Sequence, residues 1–276
     1  MKVVCSVDIE GASGVVSPKE ILEGGVDFDK GREYLTRDVN AAVQGALEGG
    51  AKRVVLHDSH GLNQRNLLFE KICPAAEVVR GTPILFFEDL QAGFDACFII
   101  AAHSSYDEPK GVLSHLFSSK HFRGVYIDGR PTCEGEITAA IAGHLGIPTV
   151  LVTGDDVACG QMKRLIPEIE TAVVKQAISR YAAICLPFSR TELLIREAAK
   201  RALRRASRKE IPPYKYPGRE TLDIELGTPY QAEIVADLTK AECVAPATVR
   251  YREVDSLEAY RLLKLVLYVV NSSLIP

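Results

Sequence analysis

The strongest constraint on this chain is a set of short apolar runs that do not alternate. Residues Lys2–Val7, 53–56, Ala96–Ala102 and 148–153 are rich in Val, Ile, Leu and Ala and are of strand length. A strand with one wet face reads apolar-polar-apolar. A run that is apolar throughout predicts cover on both faces, as in a parallel sheet. Helical periodicity fills the gaps between the runs. Over residues 31–49, Tyr34, Leu35, Val39, Ala42, Val43, Ala46 and Leu47 share one helical face before Gly49-Gly50 ends it. A second helix is expected over 137–145, closed by Gly146 and Pro148. Strands alternating with helices predict an α/β fold with a mostly parallel, doubly wound sheet in the N-terminal domain.

The pattern changes near Pro187. Residues 191–208 read as an amphipathic helix with Leu194, Ile195, Ala198, Ala199, Ala202 and Leu203 on its apolar face. A proline-rich linker from Ile211 to Gly218 comes next. Strand-like runs at 222–226, 231–238 and Thr248–Val254 and a closing helix at Ser256–Val270 predict a second, smaller α+β domain. The expected division is therefore 1–186, an α/β metal-binding catalytic domain, and 187–276. A chain of 276 residues, 47% apolar and 25% charged, has the length and the ordinary globular composition for it.

The residues at the end of each apolar run point to chemistry. The first run ends in Asp8-Ile9-Glu10-Gly11, the second in His57-Asp58-Ser59-His60, the third in His103-Ser104-Ser105 and the fourth in Gly154-Asp155-Asp156. Ligands of open parallel sheets bind beyond the carboxyl ends of the strands. Four strands here deliver carboxylates or imidazoles to that edge, and five of the six histidines lie between residues 57 and 121.

Asp8 and Glu10, two apart on a strand, point to one side. Neighbouring carboxylates repel unless a cation neutralises them, so the pair reads either as metal ligands or as a turn or cap at Glu10-Gly11. His60 and His103 close apolar strands and are candidate ligands, the alternative being hydrogen-bonded core histidines; His57 reads as structural. Carboxylates and imidazoles without thiolates suit catalytic Zn²⁺, with Mn²⁺ or Fe²⁺ as alternatives. His115, in a loop beyond His103, is either a catalytic acid/base or a polar loop residue. Glu134 and Glu136 open a helix, where an acid is favourable in any case. Asp155 and Asp156 read as support for the site or as a helix cap.

Several classes lack a signal. A net charge of −3 gives no electrostatic case for nucleic acid. The basic helix carrying Arg196, Lys200, Arg204 and Arg208 has no interleaved aromatics, so a solvated face or an oligomer contact is expected of it. There is no GxGxxG after the first strand, no Walker motif and no GxSxG elbow. No stretch approaches the roughly 18 apolar residues of a membrane helix. The N-terminal run is interrupted by Asp8 and Glu10 short of a signal-peptide core. Seven dispersed cysteines without a CxxC suggest reduced thiols. The expectation is a cytoplasmic protein with no nucleic-acid or membrane partner.

SVDIEG at 6–11, HDSH at 57–60, His103, GVLSH at 111–115, VTGDD at 152–156 and VKQAISR at 174–180 occur in this order, with GTPYQAE and SLEAYRLL in the tail. That ordered set resembles the zinc-dependent D-aminopeptidases associated with dipeptide-transport operons, over nearly the whole chain. The resemblance implies two zinc ions per subunit held by Asp8 as a bridge, Glu10, His60, His103 and a glutamate after Arg130-Pro131. It implies His115 as the residue that assists catalysis, a short-peptide substrate, and a homodecamer with inward-facing sites. The family pattern around the last ligand reads roughly Gly-Glu-x-Gly-x-Asn, whereas this chain has Cys133-Glu134-Gly135-Glu136-Ile137-Thr138. An ungapped register selects Glu134, and matching the Gly-Glu pair selects Glu136; the flanking residues favour Glu134. Two rival readings remain beside the aminopeptidase: another metal-dependent amide or ester hydrolase, and a noncatalytic, metal-stabilised peptide-binding protein.

Overall fold

The apolar runs form the centre of one sheet. A computed structural model describes residues 1–82, 93–216 and 218–272; Pro217 of the expected linker lies outside them. In chain order, β1 is Lys2–Val7, α1 Phe28–Glu48, β2 Arg53–Asp58, β3 Ala76–Val79, β4 Ala96–Ala102, β5 Phe122–Ile127, β6 Arg130–Pro131 and α2 Glu134–His144. Then come β7 Thr149–Asp155, α3 Asp156–Leu165, β8 Glu170–Ser179, β9 Ala182–Cys185, α4 Phe188–Ser207, β10 Glu220–Leu226, α5 Pro229–Thr239, β11 Glu242–Ala245, β12 Thr248–Val254 and α6 Ser256–Val270.

The first sheet has the order β3-β2-β1-β4-β7-β8-β9, parallel except for the antiparallel edge pair β8–β9. Every residue of β4 and β7 is buried, as expected of runs covered on both faces. Val3, Cys5 and Val7 join one apolar cluster with α1 and α4, and Val4 joins a second cluster with α2, α6 and the other sheet. From β1 the chain steps outward through β2 to β3 and then returns to β4 on the far side of β1. This reversal opens a crevice between the ends of β1 and β4, where open sheets bind ligands.

The second sheet is antiparallel, β11-β12-β10-β5-β6. The boundary expected at 187 falls between β9 and α4. Strands β5 and β6, before it, pair into the second sheet through β10, while α4, after it, lies on α1 and β8 beside the first. The two sheets are thus not consecutive segments of chain, because hydrogen bonding and burial select partners without regard to sequence distance.

One expected strand is a helix. Residues 231–238 belong to α5, whose N-cap Thr228 accepts from the Gln231 amide, with Pro229 in its first turn. Thr-Pro ahead of the run is a helix-start signal, and the buried positions Gln231, Ala232 and Val235 keep helical spacing. The basic face of α4 meets acids from its neighbours: Arg196 Nε donates to Glu48 Oε1 at 2.8 Å and Arg205 Nη1 to Glu170 Oε1 at 2.7 Å.

Helices α1 and α4 approach closely at Gly45, where a Cβ would sit 2.2 Å from the Arg196 carbonyl oxygen. Gly45→Ala gains about 1 kcal/mol of helix propensity but overpacks this contact by about 1–3 kcal/mol. A fall in Tm, measured by calorimetry, is expected; a rise would mean that the two helices separate freely.

Candidate metal centre

Three strand ends and one helix start meet at the crevice. Asp8 and Glu10 come directly after β1, His60 after β2 and His103 after β4, and Glu134 is the first residue of α2. His60 Nδ1 lies 3.1 Å from Asp8 Oδ1 and 3.1 Å from Glu10 Oε2. His103 Nε2 lies 3.4 Å from Asp8 Oδ2 and 3.2 Å from Glu134 Oε1. Asp8 therefore turns one oxygen to each imidazole. Donor atoms of Asp8, Glu10 and His103, and of His103, His115 and Glu134, gather within 4.8 Å of one another.

The second nitrogen of each imidazole is already used. His60 Nε2 donates to the carbonyl of Ile21 at 3.0 Å, His103 Nδ1 to that of Ser104 at 2.9 Å, and His115 Nδ1 to that of Leu113 at 2.9 Å. A carbonyl only accepts, so these nitrogens carry the hydrogens. In a neutral ring the other nitrogen of His60 or His103 would then point a lone pair at carboxylate oxygens, which is repulsive. Each such nitrogen must therefore meet a proton, its own or one on the facing Asp8 carboxyl, or bond a cation. Backbone-fixed imidazoles of this kind are typical of metal ligands. Glu10 Oε1 is buried without a hydrogen-bond partner, and Oε2 faces only His60 Nδ1. The donor set thus fits divalent cations.

The same crowding displaces the titrations. Burial and the Glu10 charge push Asp8 up to about 7. Burial also opposes charge on Glu10, but His60 and the other imidazoles outweigh it and hold Glu10 well below the usual carboxylate range. Burial disfavours the imidazolium of His103, yet Glu134 and Asp8 raise it to about 10; His60 is raised by Glu10 and Asp8 against the same opposition. His115 goes the other way: burial and the neighbouring His103, stacked at a centroid distance of 4.1 Å, push it down. Its Nε2 is 3.8 Å from Glu10 Oε1, beyond a hydrogen bond.

Supporting contacts set these positions. Strand β4 bulges at Ala101, which has φ +59°, and this re-aims the chain leading to His103. The bulge is held by the Gly11 amide on the Ala101 carbonyl (2.8 Å) and by the Ala101 amide on Thr153 Oγ1 (2.8 Å). Asp58 accepts from the amides of Asn66 and Leu67, and Asn66 Nδ2 donates to the His60 carbonyl at 2.8 Å. Asp155 caps α3 and also accepts the Val112 amide at 2.8 Å, anchoring the loop of His115. The Phe117 amide donates to Glu134 Oε1 at 2.6 Å.

Sequence reasoning from the residues missed Lys175. Its buried ammonium donates to the carbonyls of Glu10 (2.6 Å), Ala12 (3.0 Å) and Val15 (2.6 Å), clamping the segment after β1. Burying an unpaired ammonium costs several kcal/mol, which three charge-assisted hydrogen bonds of about 1.5–3 kcal/mol each offset. Burial lowers its pKa to about 8. Only the VKQAISR motif at 174–180 marked this place, and a motif match says nothing of a lysine's acceptors.

Glu134 faces the cluster and Glu136 does not. Buried Glu136 takes Arg130 Nη1 at 3.0 Å, Thr132 Oγ1 at 2.9 Å and Tyr214 Oη at 2.6 Å. Along the helix, positions 134 and 136 differ by about 200° of rotation, so only one can enter the crevice. His57 is buried outside the cluster, its pKa pushed down to about 4 by burial and then by Lys264. The cluster opens on a cavity of about 450 Å³, which Thr138 also lines.

Comparison with known proteins gives three findings. The Peptidase M55 family, described as D-aminopeptidase, matches residues 1–265. A D-aminopeptidase of Bacillus subtilis (strain 168) is 34% identical over 266 residues, covering 95% of this chain and 94% of that protein. The solved structure of the Zn-dependent D-aminopeptidase DppA from Bacillus subtilis, described as a self-compartmentalizing protease, superposes with a TM-score of 0.90 at 31% identity, covering 99% of both chains.

The proton-or-cation alternative at the imidazoles has a direct consequence. Loading a divalent cation at pH 7 must expel the protons shared among His60, His103 and Asp8. Calorimetric titration with Zn²⁺ in buffers of different ionisation enthalpy should report net proton release, reduced in His103→Ala. Binding without proton release would show that the cation sits elsewhere.

Proposed function

The chain belongs to the M55 family of D-aminopeptidases, and we propose from this that it is a zinc-dependent aminopeptidase releasing N-terminal residues, D-configured by preference, from short peptides. The observation that carries the reading is the set of imidazoles committed to backbone carbonyls, with their other nitrogens facing carboxylates. Asp8, Glu10, His60, His103 and Glu134 would hold two zinc ions. When bound, zinc supplies Lewis-acid polarisation of the scissile carbonyl and acidifies the hydrolytic water.

The chain's own residues do the rest. Leu113, Phe117 and Ile137, which line the cavity, exclude bulk water from it. His115 Nε2, kept neutral by burial and by His103, takes the proton of the attacking water and returns it to the leaving nitrogen. Lys175 keeps the Glu10 segment in place through its three carbonyl contacts.

No described helix is long and apolar enough to cross a membrane. All seven cysteines are free thiols, which agrees with a cytoplasmic location. We further propose a homo-oligomer, with the decamer that the family resemblance implies.

A panel of D- and L-configured dipeptides and aminoacyl amides with added zinc tests the reading. Release of N-terminal D-residues, abolished by a chelator and restored by zinc, is the expected result. His115→Ala should lose about 10²–10⁴-fold in kcat while its zinc content is retained; unchanged turnover would remove His115 from the mechanism. Inactivity toward every substrate together with tight peptide binding would point instead to a binding protein. Light scattering should return a mass of ten chains, and a monomer would refute the assembly.

A further inference from the structure

The cavity is lined by charges of both signs. Asp8, Glu10 and Glu134 are the acids, while Arg180, Lys120 and Lys264 line the same space. Of these cations, Arg180 is the one most firmly tied to the reacting end. It sits at the turn between β8 and β9, half-buried. Its carbonyl accepts the Leu113 amide at 2.9 Å and its Nη1 donates to Ser114 Oγ at 3.3 Å, so both contacts fall on the two residues before His115. Its Nε donates to Tyr181 Oη at 3.2 Å. Among the described residues no carboxylate pairs with it; its side-chain partners are hydroxyls. Lys264, by contrast, lies over the Tyr260 ring at 5.8 Å.

A guanidinium offers five donors in a planar fork that matches a carboxylate. Here that fork is oriented by neutral hydroxyls, and its Nη2 has no hydrogen bond among the described residues. With the amino end of a peptide at the zinc-binding cluster, the group that this guanidinium matches is a carboxylate farther along the same ligand. A volume of about 450 Å³ accommodates a molecule of a few residues.

We infer that Arg180 binds the C-terminal carboxylate of the substrate, so that the site selects short peptides with a free carboxyl end over their C-terminal amides. This rests on the aminopeptidase reading for the placement of the amino end. Arg180 is a specificity-determining residue in this arrangement and takes no part in proton transfer.

The test compares D-alanyl-glycine with D-alanyl-glycinamide on the full-length, zinc-loaded protein. Alongside it, calorimetry measures binding of the non-hydrolysable reduced-bond isostere of each. Loss of a charge-assisted pair corresponds to about ten- to a hundredfold in affinity, so the acid should be favoured by that factor in KM and in isostere affinity. In Arg180→Gln the acid should fall to the level of the amide, and Arg180→Lys should recover part of the difference. Three results would overturn the inference: no acid preference in the unmodified protein, a preference that survives Arg180→Gln, or an equal loss on acid and amide. Should neither substrate turn over while the isosteres still show the Arg180-dependent preference, the anchor stands and the aminopeptidase reading falls.

Discussion

Three carboxylates share one largely enclosed space, and that repulsion organises the rest of the site. Asp8, Glu10 and Glu134 cannot all be ionised side by side in a low dielectric without positive charge between them. The chain supplies part of it through imidazoles, but it uses one nitrogen of each ring on a backbone carbonyl. The remaining nitrogens serve as proton or cation acceptors, which makes the cluster a store of protons when empty and a set of ligands when filled. Metal binding and protonation therefore compete for the same atoms.

Holding like charges together requires a rigid frame. The groups sit on strand ends of a sheet buried on both faces, where displacement of one strand would disturb its neighbours. The bulge at Ala101, the Gly11 contact and the Thr153 hydroxyl tie β1, β4 and β7 together at the crevice. Lys175 adds a positive charge behind Glu10 rather than beside it. It stabilises the segment through carbonyls and leaves the carboxylate oxygens for another partner. The His115 loop is fixed from two sides, by Asp155 and by the main chain of Arg180. The charge environment of His115 differs from that of His103 although the rings are stacked: His103 meets Glu134 and Asp8 at close range, and His115 meets mainly His103.

Much of the fold was legible because burial leaves a periodic trace. Runs covered on both faces read as β1, β2, β4 and β7, and the stripe ending at Gly49-Gly50 read as α1. The stretch at 231–238 misled because a short apolar-rich segment fits either period, and the deciding signal, Thr228-Pro229, lies just outside it. The pairing of β5 with β10 had no local trace. Gly124 and Glu225, its partner in the register, are 101 positions apart in the chain (225 − 124), and side-chain periodicity reports that a face is covered without saying by what.

The sequence by itself determined which residues stand at the strand ends: Asp8, Glu10, His60 and His103 come after apolar runs, and a parallel sheet delivers such ends to one edge. It also held the ordered motifs that mark the family. Only the tertiary structure decided which atoms meet. It turned Glu134 into the crevice and Glu136 toward Arg130 and Tyr214, gave Asp8 one oxygen for each imidazole, and placed the Lys175 ammonium on the carbonyl of Glu10. The reason is physical: local patterns record exposure, whereas electrostatic partnership depends on separations of about 3–4 Å between groups far apart in the chain.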